Sequence, residues 1–130
     1  MAGTIIADTL THSTAGSVTT DYVVNGSAKA WLDHTQLTTS SIRDSLNISS
    51  ITDAGTGKTY PISFSNNMSS SSYAGSLYSS ANTGNNYTTF NNQHTGGLGS
   101  KTTSNFGHNS FSSVSVDAVR NDNIIFGDLA

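Results

Sequence analysis

The chain has 130 residues with five basic and eight acidic side chains, a formal charge of −3, one Trp, one Pro, no Glu and no Cys. That length suits one domain, and the lack of Cys excludes a disulfide framework or a thiolate zinc site. The five cations are scattered, which excludes the clustered Lys and Arg that phosphate neutralisation needs, and no apolar run is long enough to span a bilayer. Nucleic acid and membrane insertion are therefore not expected.

Leu, Ile, Val and Phe make up only 26 residues, whereas Ser, Thr and Asn make up 54. Thr favours strands, and Ser, Asn and Gly favour turns, so the composition points to an all-β protein with long polar loops. Ordering each residue costs roughly 1.5 kcal/mol. With so few apolar side chains, the expectation is that neighbouring copies of the chain cover part of the sandwich.

At the N-terminus, Thr4 to Leu10 reads as a short strand before a polar stretch. Residues 1–20 then form either an attachment arm that pairs with another chain, through Ile5, Ile6 and Leu10, or an ordinary first strand. No basic segment followed by an apolar one opens the chain, so export by the usual route is not expected.

Residues 21–130 read as the sandwich. Asn25-Gly26 lies between β-rich arms and predicts a two-residue hairpin turn. In the arm that follows, Ala28, Ala30, Leu32 and His34 share one face, and Lys29, Trp31 and Asp33 share the other. If the Ala/Leu face is the core, Trp31 stands outside as a subunit contact; the opposite face, with Trp31 as a core anchor, reads equally well. Ile42, Leu46 and Ile48 alternate with polar residues, as do Tyr60, Ile62 and Phe64. The Asp53-Ala-Gly-Thr-Gly57 break predicts an antiparallel hairpin between these runs.

Tyr73 to Tyr78 is a further strand. Residues 79–113 read as polar loops dotted with aromatics, and Tyr78, Tyr87, Phe90, His94 and Phe106 are the candidates for a recognition surface there. Val114 to Asp117 and Asn123 to Leu129 predict two closing strands around an Arg120-Asn-Asp-Asn123 turn, and no long helix is predicted.

Catalytic and cofactor patterns fail on inspection. Gly55-Thr-Gly57-Lys58-Thr59 lacks the first Gly of a phosphate loop, and Pro61 occupies the helix that should follow. His12, His34, His94 and His108 never fall at metal-ligand spacing, and Gly96-Gly-Leu-Gly99 lacks the Asp of a calcium repeat. Asp44 shares the parity of Ile42 and Leu46, and a buried carboxylate there is one reading of it. No catalytic residue, metal or cofactor is expected.

Gly26-Ser-Ala-Lys-Ala-Trp31, Ile42-Arg-Asp-Ser-Leu-Asn-Ile-Ser-Ser-Ile-Thr-Asp53 with its Gly-Thr-Gly turn, Tyr60-Pro-Ile-Ser-Phe-Ser-Asn-Asn-Met68 and Ile125-Phe-Gly-Asp128 together resemble the small fibre-type structural proteins of tailed bacteriophages, especially those of marine viruses and cyanophages. The likeness spans roughly residues 20–75 and the last strand. It implies a non-enzymatic virion component with a jelly-roll-like β-sandwich, trimeric and assembled in the host cytoplasm. Its implied place is a tail fibre or the capsid surface, in contact with other virion proteins. The other function to weigh is a lectin-like domain that binds carbohydrate through exposed aromatics.

Overall fold

The computed structural model describes residue 3 and residues 6–81, 88–90, 101–110 and 117–130. Its elements are β1 (Thr9–His12), β2 (Gly16–Thr19), α1 (Thr20–Gly26), β3 (Ala28–Thr35), β4 (Ser41–Leu46), β5 (Ile48–Asp53), β6 (Lys58–Phe64), β7 (Ala74–Ala81), β8 (Thr88–Phe90), β9 (Asn105–Ser110) and β10 (Ala118–Phe126). The β1–β2 hairpin stands apart from two four-stranded sheets of order β4-β3-β10-β7 and β5-β6-β9-β8. Every pairing is antiparallel, and the two sheets face each other across one interior, so the chain is an all-β sandwich.

The interior changes character along its length. At one end Ala30, Leu32, Ile62, Phe64, Met68, Tyr73, Phe106 and Ile125 form an apolar cluster, in which the Phe64 ring lies 5.5 Å from Phe106 and 5.6 Å from Tyr73. Further along the same strands the inward positions turn polar: His34 and Gln36 follow Leu32, His108 and Ser110 follow Phe106, and Asn123 and Asn121 precede Ile125, all of them buried. The scarcity of apolar residues is met here by hydrogen-bonded polar side chains inside one chain.

Several local readings change for identifiable reasons. The run from Ile42 to Asp53 is two strands, because Asn47 adopts a left-handed φ of 57° and turns the chain from one sheet to the other. Asn tolerates this conformation better than most residues. Its side chain is clamped to the exit of β6, accepting from Asn66 N at 2.6 Å and donating to Asn66 O at 3.0 Å. On the outer strand β4, Ile42, Asp44 and Leu46 are exposed, so the parity that made them a core face is a surface parity.

Asn25-Gly26 ends a helix here and makes no hairpin turn. Asn and Gly suit helix ends as well as turns, and Asp21 in the first turn favours the helix dipole. Arg120 to Asn123 lies within the continuous strand β10, because Asn121 and Asn123 point into the polar half of the interior. Phe106, expected on a loop, is fully buried on β9.

The hairpin at Asp53 to Gly57 forms as the sequence indicates, with Gly55 and Gly57 at φ of 100° and 69°. Asp53 accepts from Gly55 N and Ser40 N, each at 2.8 Å, and these bonds hold its carboxyl below the usual range. At the far end, a Cβ at Gly127 would sit 2.8 Å from Tyr73 Cβ and 2.9 Å from Met68 Cε. Gly127→Ala is therefore expected to destabilise the fold by about 2 kcal/mol, as over-packing does, measurable as a lower urea midpoint. An unchanged midpoint would show that this corner is loosely packed.

Candidate functional site

Among the described residues, two surfaces stand outside the interior. The first is the outer face of the β4-β3-β10-β7 sheet. Because Ala30, Leu32 and His34 point inward, Trp31 and Asp33 point out. Strand register places Leu46 and Ile124 on either side of Trp31, forming an apolar row. Two residues along, Asp44, Asp33, Asp122 and Tyr78 stand abreast on β4, β3, β10 and β7.

Like charges opposite one another on a sheet repel. Two guanidinium groups offset this: Arg120 Nε is 3.2 Å from Asp122 Oδ1, Arg120 Nη2 is 3.4 Å from Asp33 Oδ2, and Arg43 Nη1 is 3.8 Å from Asp33 Oδ1. Arg43 also donates to the Val119 carbonyl at 2.8 Å. The hydrogen bond from Arg120 to Asp122, and then the charges of Asp122 and Asp33, hold the Arg120 guanidinium above its ordinary pKa. Trp31, Ile124, Asp33, Asp44, Asp122 and Arg120, with Leu32 and Asn123 beneath, line an open depression of about 440 Å³.

The second surface is the N-terminal arm. Between residues 6 and 27 no described side chain is buried, and only Ala7 and Thr20 are half-buried. Ile6 and Tyr22 are 94% and 74% exposed, and Leu10, Val18, Val23 and Val24 are exposed beside them.

Of the residues singled out in the sequence, Ile6 and Leu10 lie on this arm, while Trp31 and Tyr78 lie on the outer sheet face. Ile5, Tyr87 and His94 fall outside the described residues, and of Phe90 only its backbone position in β8 is described. Phe106 belongs to the core and is not available to a glycan. Among the described residues no group of three or more metal-ligating side chains occurs.

The sequence did not reveal the buried cluster that joins the sheets. His34 and His108, separate in the chain, meet edge to face at 5.3 Å. Asn123 Oδ1 can only accept, so His108 carries its proton on Nδ1 and donates to it at 2.8 Å, while Nε2 faces the Ser79 hydroxyl at 2.8 Å. Ser110 donates to Gln36 Oε1 at 2.7 Å, and Gln36 Nε2 donates to Thr59 at 3.1 Å. Burial, then the neighbouring His108, lowers the His34 pKa to about 3, and burial lowers that of His108 as well. Among the described residues, His34 Nε2 and Asn121 Nδ2 find no hydrogen-bond partner. The available signal was the placement of His34 on the Ala30/Leu32 face.

No family model, no curated protein and no solved structure matches the chain, so its function is read from these surfaces.

Proposed function

We propose that this chain is a non-enzymatic structural component of a tailed-bacteriophage particle, a fibre-like or capsid-surface decoration module that assembles as a homotrimer in the host cytoplasm and is displayed on the virion. The N-terminal arm carries this reading. A hairpin with four residues per strand and a seven-residue helix are each too short to persist unaided in water, and among their described side chains none is fully buried. Their order calls for a partner surface that covers Ile6, Leu10, Val18, Tyr22, Val23 and Val24.

A second and third copy of the chain supply that surface most simply, with a neighbouring capsid or tail protein as the next contact. The sandwich suits such a particle: β3 and β10, the first and last strands after the arm, pair with each other as in a jelly-roll-like module, leaving the arm at one margin. The sequence resemblance to phage fibre proteins points the same way.

Native mass measurement at micromolar concentration tests this reading. The expected species has three times the 13.5 kDa chain mass, and a Tyr22→Ser/Val24→Ser variant is expected to fall to monomer with its fold intact. Monomer alone for the unaltered chain, up to tens of micromolar, would overturn the reading.

A further inference from the structure

Trp31, the one Trp of the chain, occupies a position that folding does not explain. It sits outside a closed interior, flanked in register by Leu46 and Ile124, with a parallel row of Asp44, Asp33 and Asp122 beside it. Exposed or half-exposed ion pairs such as these three add little to stability, so stability does not account for three carboxylates in adjacent register. A buried subunit contact does not fit either, because interface cores are depleted of charged residues.

The juxtaposition of an apolar row and a hydrogen-bonding row matches a pyranose ring, which has a C–H face on one side and hydroxyls at its edge. The charge balance narrows the ligand further. Asp33 and Asp122 are paired with Arg43 and Arg120, so the carboxylates offer acceptors and the guanidinium groups donors on a nearly compensated surface. Asp44 has its Oδ1 on Ser45 N at 2.8 Å and completes the acidic row. An anionic ligand would meet three carboxylates, and a cation would compete with two arginines already in place. A neutral polyhydroxylated ligand meets neither obstacle.

From sheet geometry, Tyr78, two strands and two residues away from Trp31, stands about 12 Å from it. Two aromatic platforms at that separation suit an oligomer better than a single sugar.

We infer that the outer face of the β4-β3-β10-β7 sheet binds a neutral oligosaccharide, with one sugar on the Trp31 ring, hydroxyls on Asp33, Asp44, Asp122 and Arg120, and the chain running towards Tyr78. This site goes beyond the assembly reading and does not depend on it, since the face belongs to the sandwich and the arm is elsewhere in the chain. It also moves glycan recognition from the loop aromatics of residues 79–113 to a sheet face.

With a single Trp, intrinsic fluorescence reports on this site alone. The full-length chain is titrated with malto-, cello-, xylo- and mannohexaose, and is applied in parallel to an array of neutral, sialylated and sulfated glycans. Saturable fluorescence change with at least one neutral glycan is expected. On the array, Trp31→Ala is expected to lose binding, and Asp44→Asn and Arg120→Gln, at exposed positions that leave the core untouched, to weaken it roughly tenfold each, as the loss of one hydrogen bond to a charged group does. Absence of any neutral ligand in both formats, binding of sulfated or sialylated glycans only, or binding unchanged in Asp44→Asn and Arg120→Gln would each overturn the inference.

Discussion

Lowering the pH from 7 to 4.5 should remove most of the stability of this fold. His34 and His108 are both neutral in the interior, with His34 lowered to about 3 by burial and by its neighbour. In the unfolded chain each titrates near 6.5. Above that value neither state is protonated and the two groups do not affect folding. Below it the unfolded chain takes up protons that the folded chain refuses, so stability falls steadily as pH drops from 6.5 towards 3.

At 1.36 kcal/mol per pH unit, His34 alone costs roughly 3 kcal/mol by pH 4.5, and His108 acts in the same direction. The other groups packed against the pair are the uncharged side chains of Asn121, Asn123, Ser79 and Ser110, with Arg43 opposing charge on His34 more weakly, so no carboxylate is placed to rescue the cations. Below about pH 4 the unfolded chain protonates Asp53 while its bonds from Gly55 N and Ser40 N keep it charged in the folded chain, adding to the loss. Urea unfolding at half-unit pH steps is the measurement. His34→Gln is expected to flatten the curve between pH 6.5 and 4.5, and a wild-type midpoint constant over that range would contradict the buried neutral pair.

Replacing Asn123 with Leu should cost about 2–4 kcal/mol, although it adds an apolar residue to a core poor in them. The amide joins His108 Nδ1 on β9 to the Leu32 carbonyl on β3, with Asn123 Nδ2 3.4 Å from Leu32 O and also 3.4 Å from His34 Nδ1. Its removal strands a buried donor on His108 and takes a partner from His34, and orphaned buried polar groups carry penalties of this size. The next inward position is apolar, and Ile125→Val there is expected to cost only about 1 kcal/mol. Equilibrium unfolding of both variants at pH 7.5 gives the comparison. A neutral or stabilising Asn123→Leu would mean that the polar half of the interior is replaceable filling.

What the sequence disclosed and what it hid follow from the same polar interior. Strand runs bounded by clear turn residues were legible: Asp53 to Gly57 carries two glycines that a reversal needs at positive φ, β6 fell where alternation put it, and β7 covers the run from Tyr73 to Tyr78 but continues to Ala81, into what read as loop. Alternation by hydrophobicity fails wherever both faces of a strand are polar. Asn121 and Asn123 look like turn residues by composition, yet their burial makes Arg120 to Asn123 the middle of a strand. Ile42 and Leu46 look inward by parity, yet the left-handed Asn47 ends their strand and leaves them on the surface. Trp31 was legible as a choice between two faces, and the packing of Ala30 and Leu32 decided it. Its acidic neighbours were not legible, since Asp33, Asp44 and Asp122 meet only through strand pairing across the chain.

The proposal is of a sandwich that closes on its own half-polar interior and an arm that would find its order in other copies. The most direct measurement is made on a chain beginning at Ser27, by native mass and by urea unfolding at two protein concentrations tenfold apart. It should be a folded monomer whose midpoint does not move with concentration, whereas the full-length chain should unfold at a midpoint that rises with concentration. A shortened chain that is unfolded, or that still forms trimers, would contradict that division.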